Sequence, residues 1–192
     1  MTDVTLRPAR REDARAIAGW FHVSSDGVAD YIWTKAAGPG EDPLDVGAAR
    51  YARTGVDFSF EKCVMAEANR RVVGMLHGYV MPAPEPDFNA SDVDPILRPY
   101  AELEIPGSFY ISGVAVDEGV RGRGIGRALL ADAYARGADL GCPCASLIVF
   151  EANEGAVRLY AREGFHEVER RAIVPHPLIH YTGDAILLRR EL

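Results

Sequence analysis

The chain has 192 residues, 48% of them hydrophobic and 26% charged, with a formal net charge of −7. That length predicts one domain over residues 1–192, with room for an insertion, and the apolar content suffices for a sizeable core. The acidic balance argues against a general nucleic-acid binder, and no apolar run approaches membrane-spanning length.

In chain order, Val4-Thr5-Leu6-Arg7 is a short β-type run closed by Pro8. Residues 11–21 read as an amphipathic helix, with Ala14, Ile17, Ala18 and Phe21 on one stripe and acids at its start. Tyr31-Ile32-Trp33 marks a second short helix, Gly38-Pro39-Gly40 punctuates, and residues 45–53 form a further helical turn. Two β-rich runs, FSFEKCVMAE and RRVVGMLHGYVM, flank Ala68-Asn69 as a hairpin. Gly74 and Gly78 within it point to bulges or close backbone approach, and His77 reads as a packed or surface side chain rather than a base. Residues 81–108 carry six prolines among several acids, a long connection with a short helix inside 92–103. Then come FYISGVAV, the loop DEGVRGRGIG and a helix from near Ile125. ASLIVF, residues 145–150, is a central strand. A helix follows over 153–162, with Asn153 as N-cap and Gly164 as its stop. Strand candidates at 165–170 and 185–190 flank a loop with two prolines.

Cys63, Cys142 and Cys144 are an odd number, the first within an apolar run, so reduced thiols are expected and a disulfide framework is not. His176 and His180 share helical spacing, but Pro175 and Pro177 argue against the helix that would align them on a metal. No metal is expected. The start, MTDVTLRPARRED, has no apolar leader, so a cytoplasmic protein is expected.

The loop after the fourth strand carries the chemistry. Glycines let a backbone approach closely, successive N–H groups point at one anion, and the helix dipole favours negative charge. Arg121, Arg123 and Arg127 add forked donors suited to phosphate. A triphosphate loop needs Lys then Ser or Thr after its last glycine; here Arg127-Ala128 follow Gly126. A dinucleotide fingerprint from Gly122 meets Arg127 where its third glycine belongs. Glu151 imitates the ribose-binding acid, but too few residues follow to complete a doubly wound sheet.

Arg121-Gly122-Arg123-Gly124-Ile125-Gly126 has R-x-x-G-x-G spacing, and downstream NEGAVRLYAREGF spans residues 153–165. Together these resemble the two motifs of the GNAT superfamily of acyl-CoA N-acyltransferases. The clear resemblance covers about residues 109–168; the VTLRPA start and the 63–81 hairpin fit it more weakly. It implies an α+β fold: a mixed, mostly antiparallel central sheet of six to seven strands with helices on both faces. It implies an acetyl-CoA-dependent N-acetyltransferase acting on a primary amine, a small-molecule acceptor being preferred. A protein N-terminal acetyltransferase and a non-catalytic acyl-CoA sensor are the alternatives. A homodimer through the terminal strands belongs to the same resemblance.

By that resemblance, backbone N–H groups of Arg121, Gly122, Arg123, Gly124, Ile125, Gly126 and Arg127 hold the coenzyme A pyrophosphate. The arginines meet either it or the ribose phosphate. The main chain of Val114, Ala115 and Val116 pairs with the pantetheine arm, while the valine side chains are core. Gly113 allows a bulge that opens the gap for the arm. An N–H near Val114 serves the oxyanion, Asn153 contacts the arm, and Tyr160 is the general acid. Relatives often carry a carboxylate base on strand four or five; here Tyr110, Ser112, Ile148 and Phe150 stand there instead. Glu104 and its neighbour Glu102 are the remaining candidates for the base, directly or through water.

Overall fold

The computed structural model describes residues 4–192, so Met1, Thr2 and Asp3, part of the stretch read for a leader, lie outside the described residues. Seven strands follow the order β1-β2-β3-β4-β5-β7-β6. They are β1 Val4–Pro8, β2 Cys63–Ala68, β3 Arg71–Val80, β4 Phe109–Val116, β5 Cys144–Phe150, β6 His166–Ala172 and β7 Asp184–Glu191. The β1–β2, β2–β3, β5–β7 and β6–β7 pairs are antiparallel, and β4–β5 is parallel. The expected α+β class with a mixed, mostly antiparallel sheet is therefore what forms. One feature departs from chain order: the last strand lies between β5 and β6.

The chain divides into two compact units. Among the described residues, the first comprises residues 4–79 and Ser112–Asp132. Its helices are α1 Ala14–Ser24, α2 Val28–Ala36 and α3 Pro43–Tyr51, together with the start of α5 Ile125–Asp139. The stripe Ala14, Ile17, Ala18 and Phe21 is buried, as its spacing requires. Asp13 anchors the turn before α1: its carboxylate accepts from Arg10 N at 2.7 Å and from the Arg7 guanidinium at 2.7 and 2.9 Å. Asp42 caps α3 through Leu44 N–H at 2.9 Å, and Pro43 takes the first helical position, where no N–H is needed. A β-carbon on Gly47 would lie 2.7 Å from the Trp33 ring, so only glycine lets α3 sit there.

His77 is fully buried among Phe21, Tyr51, Phe58 and Tyr79. A carbonyl can only accept, so Nε2–H donates to Asp57 O at 2.9 Å. Nδ1 shares a hydrogen bond with the Tyr51 hydroxyl, 3.2 Å away. Both nitrogens are satisfied, which makes His77 a packed side chain.

The second unit comprises Val80–Ile111 and Ala133–Leu192. The proline-rich connection is more ordered than its composition suggests. It contains a 3-10 turn at Ala90–Asp92 and the short helix α4, Arg98–Ala101. Its ends are closed by Met81 N–H to Ser108 O at 2.8 Å and Gly107 N–H to Met81 O at 2.9 Å. Ser108 and Ser146 hydroxyls bond at 2.6 Å, satisfying two polar groups in an otherwise apolar interior. α6 is Glu154–Arg162, and Gly164 ends it at φ 87°, a left-handed value glycine adopts without penalty. All three cysteines are buried and free.

Candidate functional site

β4 alternates strictly: Ile111, Gly113 and Ala115 are buried, while Ser112, Val114 and Val116 are half-buried. Val114 and Val116 are thus not the core side chains expected; the inward face carries Phe109 and Ile111 and then the small Gly113 and Ala115. Smallness there has a cause. A β-carbon on Gly113 would lie 2.8 Å from Ser24 Oγ and 3.0 Å from Phe21, so glycine admits α1 against the strand. One on Gly74 would meet Ala115 O at 2.8 Å. Close approach accounts for Gly113, and at Gly74 it coincides with an irregular register, since Ala66 pairs with Gly74 and Glu67 with Val72.

The loop leaving β4 is braced by Asp117. Its N–H reaches Val73 O at 2.8 Å, one carboxylate oxygen accepts Gly119 N–H at 2.8 Å, and the other accepts Arg71 at 2.5 Å. Gly122 and Gly124 follow at φ 76° and 80°, with nothing near the space a β-carbon would occupy. Helix α5 then starts at Ile125, held by buried Ile125, Leu129 and Leu130. Ala128 N–H is bonded to Gly124 O. Ahead of it, the N–H groups of Gly122, Arg123, Gly124, Ile125 and Gly126 donate to no atom of the described residues. Unpaired donors at the N-terminus of a long helix make a site for an anion.

The three arginines are not equivalent. Arg121 bonds Val116 O at 3.2 Å and Glu118 at 3.1 Å, so it shapes its own loop. Arg123 is exposed, with no hydrogen bond or ion pair among the described residues. Arg127 is exposed as well.

The other expected residues lie in the second unit. The described register of the β4–β5 pair is two residues long, Phe109↔Ala145 and Tyr110↔Ser146. After β5, Asn153 caps α6 by accepting Ala156 N–H at 3.2 Å. Tyr160 is half-buried on α6, its ring edge-on to Phe165 with centroids 5.7 Å apart. Glu104 is exposed and has no ion pair or hydrogen bond among the described residues, yet the protein around its carboxyl raises its pKa by desolvation. Glu102, two residues away, is committed to Arg171 at 2.9 Å. The sequence reading passed over Tyr100. Its hydroxyl is buried without a partner, burial pushes its pKa up to about 12, and its ring packs on Phe150, which also meets Tyr181. Only its place in the proline-rich connection hinted at a role. His176 accepts Leu178 N–H at Nδ1 outside any helix, and no cluster of metal-ligating side chains occurs among the described residues.

A family model described as the Acetyltransferase (GNAT) family matches residues 31–165. The chain belongs to this family. GNAT membership supports an acetyl-transferring enzyme, and acetyl-CoA is the acyl donor that this family uses. Solved GNAT structures share the fold over nearly the whole chain. One described simply as an acetyltransferase is 23% identical, with a TM-score of 0.66, covering 97% of this chain and 98% of its own. An N-acetyltransferase from Staphylococcus aureus Mu50 is 18% identical, with a TM-score of 0.65, covering 97% and 100%. A NatC complex structure bound to Gag peptide and CoA is 17% identical, with a TM-score of 0.57, covering 99% of both chains. No curated protein sequence matches the chain significantly. No helix among the described residues is long and apolar enough to cross a membrane.

Proposed function

We propose that residues 1–192 act as one catalytic domain, a cytoplasmic N-acetyltransferase that moves the acetyl group of acetyl-CoA to a primary amine of a small molecule. One observation carries the reading: the row of unpaired N–H groups from Gly122 to Gly126 at the start of the 15-residue helix α5. It fits a pyrophosphate without further side chains. Two open glycines at positive φ leave room for that group at the backbone.

The remaining roles follow from the family motifs. The main chain of Val114, Ala115 and Val116 offers ladder bonds to the amides of the pantetheine arm, as in strand addition. The two-residue register of β4 with β5 supports this, since most of either strand is not used in that pairing. Asn153 contacts the arm in addition to capping α6. An N–H near Val114 donates to the oxygen that gains charge as the amine nitrogen attacks the thioester carbonyl. The carbon–sulfur bond breaks and Tyr160 gives its proton to the departing thiolate, an order of acidity that suits a phenol. Glu104 takes the proton from the amine, directly or through water. Its raised pKa supports this over Glu102, whose carboxylate is held by Arg171.

The test is calorimetric titration with coenzyme A, followed by thiol release from acetyl-CoA across small amines and peptides. Binding with small-amine turnover is expected. Binding without thiol release would make the chain a sensor, and peptide-only turnover would make it a protein acetyltransferase.

A further inference from the structure

Asn69 and Arg70 form the two-residue turn between β2 and β3, at φ 52° and 62°. Both lie in the left-handed region that a tight hairpin requires, and glycine is the favoured second residue there. An arginine at that position costs stability, and its guanidinium gains nothing back from the protein. Arg70 is exposed and makes no hydrogen bond or ion pair among the described residues.

The turn is held against the anion loop. Arg71 reaches Asp117 at 2.5 Å, and Asp117 in turn bonds Val73 O and Gly119 N–H. All of these residues lie in the first unit. The Arg71 side chain remains 75% exposed, so part of its fork is available to a ligand. The loop's Arg121 is meanwhile occupied by Val116 O and Glu118. Arg71 thus sits on the residue that opens the anion loop, with exposed Arg70 next to it in the turn and exposed Arg123 within the loop itself.

We propose that Arg70 and Arg71, with Arg123, form a second anion subsite that takes a phosphomonoester, the ribose 3′-phosphate of coenzyme A. This rests on the acetyl-CoA reading. A phosphomonoester carries close to two charges at neutral pH and three acceptor oxygens, which forked guanidinium groups match better than backbone N–H groups alone. The subsite accounts for a strained arginine where glycine would serve the hairpin best.

The experiment compares calorimetric titrations with coenzyme A and with dephospho-coenzyme A, which lacks only that phosphate. The wild type should bind coenzyme A about five-fold more tightly, a ratio that shrinks at high salt because the contacts are exposed. Arg70→Gly relaxes the turn, so it should fold at least as stably as the wild type. It should lose most of the ratio by weakening coenzyme A alone, with dephospho-coenzyme A unchanged. Arg71→Ala also removes a brace on Asp117, so it should lower the ratio while weakening both ligands. Equal wild-type affinity for the two ligands, or a ratio untouched in Arg70→Gly, overturns the subsite and leaves the acetyl-CoA reading standing. A wild type that binds neither ligand overturns both.

Discussion

Gly124 and Gly40 are a matched pair. Their φ values are 80° and 79°, and a β-carbon on either would meet nothing within 4 Å. Alanine at either site therefore introduces no clash, only the penalty of a left-handed L-residue. That penalty is about 1–2 kcal/mol, offset in part by the smaller entropy of the unfolded alanine chain. A net loss near 1 kcal/mol lowers the melting temperature by about 2–4 °C in a chain of this size. The two variants should melt alike. They should differ in binding, because relaxing φ at residue 124 re-aims the N–H groups of Gly124 and Ile125. Losing two charge-assisted bonds at about 1.5 kcal/mol each weakens coenzyme A roughly 100-fold. Gly40→Ala should leave that affinity alone. Thermal melts and calorimetry read both quantities. If Gly124→Ala bound coenzyme A within about two-fold of wild type while melting like Gly40→Ala, the backbone cradle would be refuted.

Tyr160→Phe keeps the ring against Phe165 but removes the proton, so turnover should fall about 100-fold or more while the coenzyme A dissociation constant holds. Unchanged turnover would remove Tyr160 from the acid role. Glu104 has a raised pKa, so the native state binds its proton more tightly than the unfolded chain does, and stability falls as pH rises from the usual carboxylate range through the raised value. Glu104→Gln should therefore melt above wild type at pH 8 and level with it at pH 4, with reduced turnover; an offset independent of pH would contradict this. Asp13 is the opposite case. Its hydrogen bonds from Arg7 depress its pKa, so its stabilisation is present above the usual carboxylate value and is lost as pH falls through the depressed one. Asp13→Asn should lose about 1–2 kcal/mol in urea melts at pH 7, with the gap closing near pH 2; a constant gap would show the charge does not matter.

The strand that broke chain order was legible in principle. β6 reads HEVERRA and is exposed at nearly every position, whereas Ala185, Ile186, Leu187 and Leu188 in β7 are all buried. A continuous apolar run belongs inside a sheet and a charged alternating run belongs at its edge. Those two rules place β7 between β5 and β6 more reliably than the expectation that successive strands lie side by side. The anion loop was easier to read because everything that shapes it is local. Its strand, its glycines and its helix start fall within one contiguous stretch, and the positive φ values at Gly122 and Gly124 are what glycine predicts. The brace at Asp117 was not readable, since its partner Arg71 lies 46 residues earlier.

Glu102 and Glu104 show the same limit at the site itself. They differ by two positions in one connection and are chemically interchangeable in a sequence. What separates them is Arg171, which lies 69 residues downstream and bonds Glu102 but not Glu104. Arg171 engages the Glu102 carboxylate, whereas Glu104 has no such partner and desolvation raises its pKa. The pairing occupies Glu102 and leaves Glu104 as the proposed base. It also ties the end of α4 to β6, so the ion pair of Glu102 fixes the segment that carries Glu104. A base proposed on this connection therefore has a defined support, which a proline-rich loop alone could not provide.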